Sequence, residues 1–362
     1  MSANIVYFWL LTFAALKDQV YISRCLQLAK LGEGYVAPNP MVGAVLVYDD
    51  IIIGEGYHQQ YGGPHAEVNC INAVSEEHKK NIAESTLYVS LEPCAHFGKT
   101  PPCADLIIQQ KIPRVVIACR DIFAKVNGQG IQKLKDAGID VKEGILEDAA
   151  IELNKRFFCF HQYHRPYIIL KWAQTSDGFI ANENYQPIAI SNSFSNRWVH
   201  SLRAQNAAIM IGTHTALYDD PSLTTRHWPG NNPVRIIIDK RLQIPATALL
   251  FNDNAPVIVL NEIKEEILGH IHFFKVDQKE NLLLQMNRLL YQKNINSVLV
   301  EGGSRLLKSF ADANLWDEAF CVTSSEMKSG SGIAAIQLPE GKKYDQFKIS
   351  TDTISHYKNH RK

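Results

Sequence analysis

The chain carries no excess of either charge: Lys plus Arg and Asp plus Glu each number 37 among 362 residues. Proteins that live on nucleic-acid phosphates show a basic surplus, so nucleic acid is not an expected partner. It also has no apolar stretch long enough to span a bilayer. Ile5–Leu16 is too short, and no Lys or Arg precedes it to start a signal peptide. Residues 1–16 therefore read as an N-terminal extension of doubtful origin, with cytoplasm as the expected compartment and no membrane partner. Internal repeats and low-complexity tracts are missing. Cysteine is sparse, with seven scattered residues, which excludes a disulfide-stapled scaffold and leaves thiols for metal binding or chemistry. No G-x-G-x-x-G follows a strand pattern, so a Rossmann nucleotide fold is unsupported. What is present is ordinary globular composition, 46% hydrophobic and 20% charged, at a length that suits two domains.

The apolar pattern alternates between helical and strand periods, which predicts layered α/β architecture in both halves. In the first half a helix is expected over Val20–Lys30, ending at Gly32. Strands are expected at Val42–Tyr48, Ile51–Gly54, Thr86–Leu91 and Arg114–Ala118, and a helix from His65 to Ala73. Leu146–His161 reads as one helix that closes before Arg165-Pro166. The expected domains are 17–145 and 167–362, joined by a connecting helix and linker at 146–166. In the second half strands are expected at Tyr167–Ala173, Ala207–Gly212, Val234–Asp239, Val257–Leu260 and Ser297–Val300. Helices are expected at Ser193–Gln205, Leu282–Gln292 and Ser304–Ala313.

The residues richest in chemistry are His65-Ala-Glu67 and the pair Cys94 and Cys103, the first cysteine following Pro93. One His and two Cys supply three zinc ligands, one short of a tetrahedron. A water in the fourth position would be acidified toward neutrality, and Glu67 would carry its proton to a leaving nitrogen. Residues two apart diverge on a regular helix, so the pair works only at a helix mouth, which Gly62-Gly63-Pro64 would provide. A closed structural site, with His96 or another Cys as fourth ligand, is the alternative.

Zinc-dependent base deaminases carry this constellation, usually with two residues between the cysteines. Here eight intervene. Glu92-Pro-Cys-Ala-His-Phe-Gly-Lys-Thr-Pro-Pro-Cys103 resembles the motif of the riboflavin-biosynthesis deaminase family at every fixed position. Pro38-Asn-Pro-Met-Val-Gly43 and Gly62-Gly-Pro-His-Ala-Glu67 resemble it too. The resemblance runs from about Asp18 onward. It implies a cytidine-deaminase-like three-layer α/β/α domain with zinc on His65, Cys94 and Cys103 and Glu67 as catalytic proton carrier.

Members of that family often continue into a reductase domain similar to dihydrofolate reductase. Its landmarks occur in order: Arg165-Pro-Tyr-Ile-Ile-Leu-Lys171, Ser176-Asp-Gly178, Leu202-Arg-Ala-Gln205, Asp219-Asp-Pro-Ser-Leu-Thr-Thr-Arg226, Arg235-Ile-Ile-Ile-Asp239 and Glu301-Gly-Gly303. By position, the resemblance implies NADPH contacts at Ala173, Ala189, Thr215, Asp219, Lys240 and along Gly303-Ser304-Arg305-Leu306-Leu307-Lys308. It implies substrate contacts at Pro187, Arg203, Leu223, Arg226 and Glu301. The guanidinium groups of Arg203 and Arg226 suit a ribose phosphate. Lys171 is the candidate catalytic acid, with a structural ion pair as the alternative.

The implied activity is deamination of 2,5-diamino-6-(5-phosphoribosylamino)pyrimidin-4-one, then NADPH-dependent reduction of its ribosyl chain. The enzyme would be a homodimer or larger assembly acting on this small pyrimidine ribosyl phosphate. Three departures stand out: Ala189 where Trp is usual, Ser176 where Leu is common, and Phe123-Ala-Lys125 where Pro-Asn-Pro-Lys often follows Asp121. Three rivals stay open: a deaminase with an inactive second domain, a nucleic-acid base deaminase, and a non-catalytic zinc module.

Overall fold

Val45 and Val47 alternate with Ala44 and Leu46 along one short strand, and the two sets are buried in different clusters. A strand with two apolar faces must be covered on both sides. The computed structural model describes residues 3–96, 101–123, 126–184, 188–338 and 341–359, with side chains described from Leu16 onward except at 341 and 342. Pro187, Ala124, Lys125 and motif residues 97–100 lie outside the described residues. By its internal contacts the chain divides into two units, Met1–Gln162 and Tyr163–Lys362.

The first unit contains α1 (Ala3–Lys30), β1 (Gly43–Tyr48), β2 (Ile51–Tyr57), α2 (Ala66–Asn72), β3 (Thr86–Val89), α3 (Cys103–Gln109), β4 (Arg114–Ile117), α4 (Gln129–Asp136), β5 (Asp140–Lys142), α5 (Glu147–Leu153) and α6 (Lys155–Tyr163). The sheet order is β2-β1-β3-β4-β5, with β3, β4 and β5 parallel and β1 antiparallel to its neighbours. On one face Ala66, Cys70, Ala104, Ile107, Ile131 and Leu134 from α2, α3 and α4 pack on Leu46, Leu87 and Val115. On the other, Ile22 and Cys25 of α1 join Phe157 and Phe158 of α6 against Val45, Tyr88 and Val116. This is the three-layer α/β/α arrangement.

One expectation needs correction here. The single helix expected over Leu146–His161 is broken at Asn154, whose side chain turns away to bond both the N–H and the C=O of Met41, each at 2.8 Å. Part of the connecting segment 146–166 packs in the first unit. Ala150, Phe157 and Phe158 belong to the core of the first unit, because their apolar area is buried there.

The second unit contains β6 (Tyr167–Gln174), β7 (Phe179–Ala181), α7 (Ser193–Ala204), β8 (Ala208–Gly212), α8 (Thr213–Asp219), β9 (Val234–Ile238), β10 (Val257–Asn261), β11 (Glu266–Leu268), β12 (Ile271–Lys275), α9 (Leu282–Gln292), β13 (Ser297–Gly302), α10 (Ser304–Asp312), β14 (Glu318–Thr323), β15 (Ile333–Ala334), β16 (Gly341–Ile349) and β17 (Asp352–Asn359). Ten strands form one sheet in the order β11-β12-β10-β9-β8-β13-β6-β14-β17-β16, and β15 pairs with β7 separately. The centre is parallel and the hairpin β16–β17 adds an antiparallel edge. Leu283, Met286 and Leu290 of α9 and Leu307 and Phe310 of α10 cover one face. Ala216, Leu223 and Leu250 pack with Ile209, Ile237 and Val259 on the other. No helix among the described residues is long and apolar enough to cross a membrane.

Candidate metal centre and cofactor cavity

α2 must lie close on β2 to bring its first turn to the ends of β3 and β4. Gly56 permits this, since a Cβ there would stand 2.2 Å from Cys70 N and 2.6 Å from Ala66 O. The closeness sets His65 at the N-cap of α2, still extended (φ −73°, ψ 166°), and Glu67 in the first turn, buried. The helix mouth thus aims two side chains two residues apart into one region. Cys94 follows β3, and Cys103 opens α3.

His65 Nδ1 lies 3.6 Å from Cys94 Sγ and 3.3 Å from Cys103 Sγ, and all three ligand atoms fall within 4.8 Å of one another. With metal–ligand bonds of about 2.0 and 2.3 Å, a tetrahedral N···S edge is about 3.5 Å, so the donors fit zinc as they stand. No fourth His, Cys, Asp or Glu joins the cluster among the described residues. His96 instead faces the Phe123 ring at 6.2 Å. An open fourth position is the catalytic pattern, whereas a structural site is closed.

The electrostatics agree with a cation site. The Cys103 thiol against it, then the His65 imidazole, drive the Cys94 thiol down, while Cys94 and burial drive Cys103 up. Burial first, then the charge on Cys94, pushes the Glu67 carboxyl up to about 7. A carboxyl in that range both takes and gives a proton near neutral pH. His58, buried beside His65, must carry its proton on Nδ1, because Nδ1 meets the carbonyl of Pro64 at 2.9 Å. Its Nε2 then accepts from Asn39 Nδ2 at 3.1 Å. The sequence reading gave no role to His58.

In the second unit a cavity of about 1320 Å³ opens at the C-terminal ends of the parallel strands, where ligands enter such sheets. Lys171, Ala173, Ala189, Arg203, Thr215, Asp219, Leu223, Lys240, Glu301, Gly303, Ser304, Arg305, Leu306 and Leu307 all line it. Two expected residues do not. Arg226 is held off the lining by the hydroxyls of Ser222 and Thr224, at 2.8 and 3.3 Å, and Lys308 pairs with Asp312 at 2.8 Å. Trp172, Asn196 and Arg241 line the cavity without having been singled out, since nothing in their local pattern marks them.

The cavity suits a dinucleotide phosphate. β13 ends at Gly302 and Gly303 is the N-cap of α10, where a Cβ would stand 3.3 Å from Thr215 Oγ1; a helix N-terminus after a glycine turn favours a phosphate. Lys240, Arg241 and Arg305 add positive charge at the wall. Deeper in, Arg203 is committed to Glu301 through Nε at 2.9 Å and Nη2 at 2.8 Å, and Nη1 donates to Thr224 O at 3.2 Å. Its fork is therefore not open for bidentate phosphate capture. Burial pushes the Glu301 carboxyl up, and the charges of Arg203 and Lys171 more than reverse this, leaving it at about 2. Burial lowers the Lys171 ammonium, with Glu301 opposing.

Residues 16–119 match the family described as the cytidine and deoxycytidylate deaminase zinc-binding region, and residues 166–328 match the RibD C-terminal domain. The riboflavin biosynthesis protein RibD of Aquifex aeolicus is 41% identical over 309 residues, covering 83% of this chain and 85% of the relative. The Escherichia coli RibD is 33% identical, covering 90% and 92%. A crystal structure of a diaminohydroxyphosphoribosylaminopyrimidine deaminase/5-amino-6-(5-phosphoribosylamino)uracil reductase from Thermotoga maritima superposes with a TM-score of 0.88 at 36% identity, over 96% of this chain and all of that one. The chain belongs to the RibD family of riboflavin biosynthesis proteins, and it carries both a zinc-dependent deaminase domain and an NADPH-dependent reductase domain.

Proposed function

We propose that the first unit deaminates 2,5-diamino-6-(5-phosphoribosylamino)pyrimidin-4-one and the second reduces the product's ribosyl chain, giving 5-amino-6-(5-phosphoribitylamino)uracil. The observation that carries the deaminase half is a three-ligand cluster, with no fourth protein ligand among the described residues, beside the buried carboxyl of Glu67. Zinc held by His65, Cys94 and Cys103 supplies Lewis acidity that makes water nucleophilic near neutral pH. Glu67 takes the proton of the attacking water and returns it to the amino group. The C–N bond breaks, a carbonyl forms, and ammonia leaves. The role of the protein is to hold that carboxyl dry and beside the reacting carbon.

In the second unit NADPH is the reductant, and the chain's own task is to hold it against the sugar. Gly303, Ser304 and Arg305 cradle its phosphates, with Thr215, Asp219 and Lys240 along the same wall. Leu223, Arg203 and Glu301 border the substrate, and Lys171, which lines the same cavity, is the candidate proton donor to the sugar. Because Arg203 is engaged by Glu301, this pair shapes the pocket, and phosphate recognition falls to another cation. All seven cysteines are free, which suits a cytoplasmic enzyme, and a homodimer or larger assembly is the solution state we infer.

One assay tests the reading. Zinc-loaded protein is mixed with the diamino substrate, and ammonia and NADPH absorbance are followed together. Both signals should depend on substrate. Ammonia without NADPH consumption would make this a deaminase with an inactive second domain and would point to Ala189, while silence in both channels with zinc bound would overturn the substrate.

A further inference from the structure

Glu92 is buried, 4% exposed, two residues before Cys94. Its carboxylate accepts four backbone N–H groups. Oε2 takes those of Asp121 at 3.2 Å and Gly128 at 3.0 Å, and Oε1 those of Gly130 at 3.0 Å and Ile131 at 3.3 Å. Its own N–H donates to Cys119 O at 3.0 Å. Asp121 follows β4, and Gly128–Ile131 begin α4, so one side chain ties the segment leaving β3 to both. The contact is close. A Cβ at Gly130 would stand 1.9 Å from Pro93 O, so only glycine lets the first turn of α4 rest on the peptide that leads into Cys94. From the opposite side the N–H of Cys103 donates to Cys94 Sγ at 3.3 Å.

We propose that Glu92 is a positioning residue for the metal centre. Its four acceptor bonds clamp Pro93–Cys94 onto the start of α4, which presents the Cys94 sulfur at the distance from His65 and Cys103 that a tetrahedral ion requires. This role rests on the reading of His65, Cys94 and Cys103 as the zinc site. A carboxylate is needed because both oxygens accept two N–H groups each. In Glu92→Gln one oxygen becomes an amide NH₂ that faces two donors, so half of the clamp opens while volume is unchanged.

The test uses the full-length chain and reads metal, independently of turnover. Zinc affinity is measured by competition with a chromophoric chelator, and Co(II) is bound in place of zinc to read the thiolate charge-transfer and d–d bands. Far-ultraviolet circular dichroism and resistance of the first unit to limited proteolysis, each compared with wild type, serve as the measure of a folded first unit. Glu92→Gln should hold zinc roughly ten- to hundredfold more weakly and shift the cobalt bands, and Glu92→Asp should recover part of the affinity. Gly130→Ala keeps the carboxylate but sets a Cβ 1.9 Å from Pro93 O and 3.3 Å from Glu92 Oε1, so it presses the same clamp apart; it should weaken zinc in the same sense and covers the case in which Glu92→Gln fails to fold. Wild-type affinity and cobalt bands in either folded variant would overturn the role of Glu92. A wild-type protein that binds no zinc would overturn the site itself, which is a distinguishable result.

Discussion

Breaking the Arg203–Glu301 pair should cost the second unit about 3–5 kcal/mol, the range for an ion left buried without its partner. Both side chains are almost enclosed, 12% and 8% exposed, and three bonds fix the guanidinium. A second route gives a similar size. The Glu301 carboxyl sits at about 2 against an ordinary 4.5, and at 1.36 kcal/mol per decade this is about 3 kcal/mol in favour of its charged form. The two single variants should differ. Glu301→Gln leaves both Arg203 and Lys171 positive with no anion between them, whereas Arg203→Met leaves Glu301 facing Lys171, so the first should be the worse. Four of the five tryptophans, Trp172, Trp198, Trp228 and Trp316, lie in the second unit, so urea unfolding followed by tryptophan fluorescence reports mainly on it. The double variant should cost at least about 1 kcal/mol less than the sum of the singles. The folded carboxyl titrates below its unfolded value, so the contribution is complete above about pH 4.5 and disappears as pH falls toward 2. Additive singles, or a wild-type stability that is flat across that window, would refute the coupling.

Other outcomes follow from the same geometry. Glu67→Gln should retain zinc by metal analysis yet lose ammonia release by about 10²–10⁴-fold, since it removes only the proton carrier; loss of the metal as well would make Glu67 structural. Stripping zinc with a chelator should abolish ammonia release while NADPH oxidation with the deaminated substrate continues, and loss of both would tie reduction to the metal. His200 is buried with no partner for Nδ1 among the described residues, and burial first, then Arg203, hold its imidazole down at about 4. Its neutral form is the folded one, so wild-type stability should fall as pH drops from about 6.5 to 4, by up to about 1.4 kcal/mol per pH unit. His200→Gln should flatten that slope in urea titrations at stepped pH, and an unchanged slope would exclude His200 as its source.

Elements that bury two apolar faces were readable from the chain. β6, β8, β9, β10 and β13 each hold a run of three or more consecutive apolar residues, and α9 falls where its 3.6-residue period places it. The strands missed at the sheet's margin lack that signal. β16 reads GKKYDQFKI and β11 only EIL, because an edge strand with one solvated side has little apolar pattern to display. The break at Asn154 was equally hidden, since its cause is the main chain of Met41, far away in sequence.

The candidate metal ligands His65, Cys94 and Cys103 and the carboxyl of Glu67 belong to the part that residue order alone brings out. Only a few residue types bind zinc, and the turns entering α2 and α3 constrain their spacing, so chemistry and local geometry suffice. The partners of charged groups belong to the fold. Arg203 meets Glu301 across 98 residues, Glu92 meets α4 across 38, and Arg226 is turned aside by Ser222 and Thr224. A guanidinium or carboxylate is compatible with many roles. Which one it takes depends on the donor or acceptor that the packed sheet brings within 3 Å, because burial makes an unpaired charge too costly to leave alone.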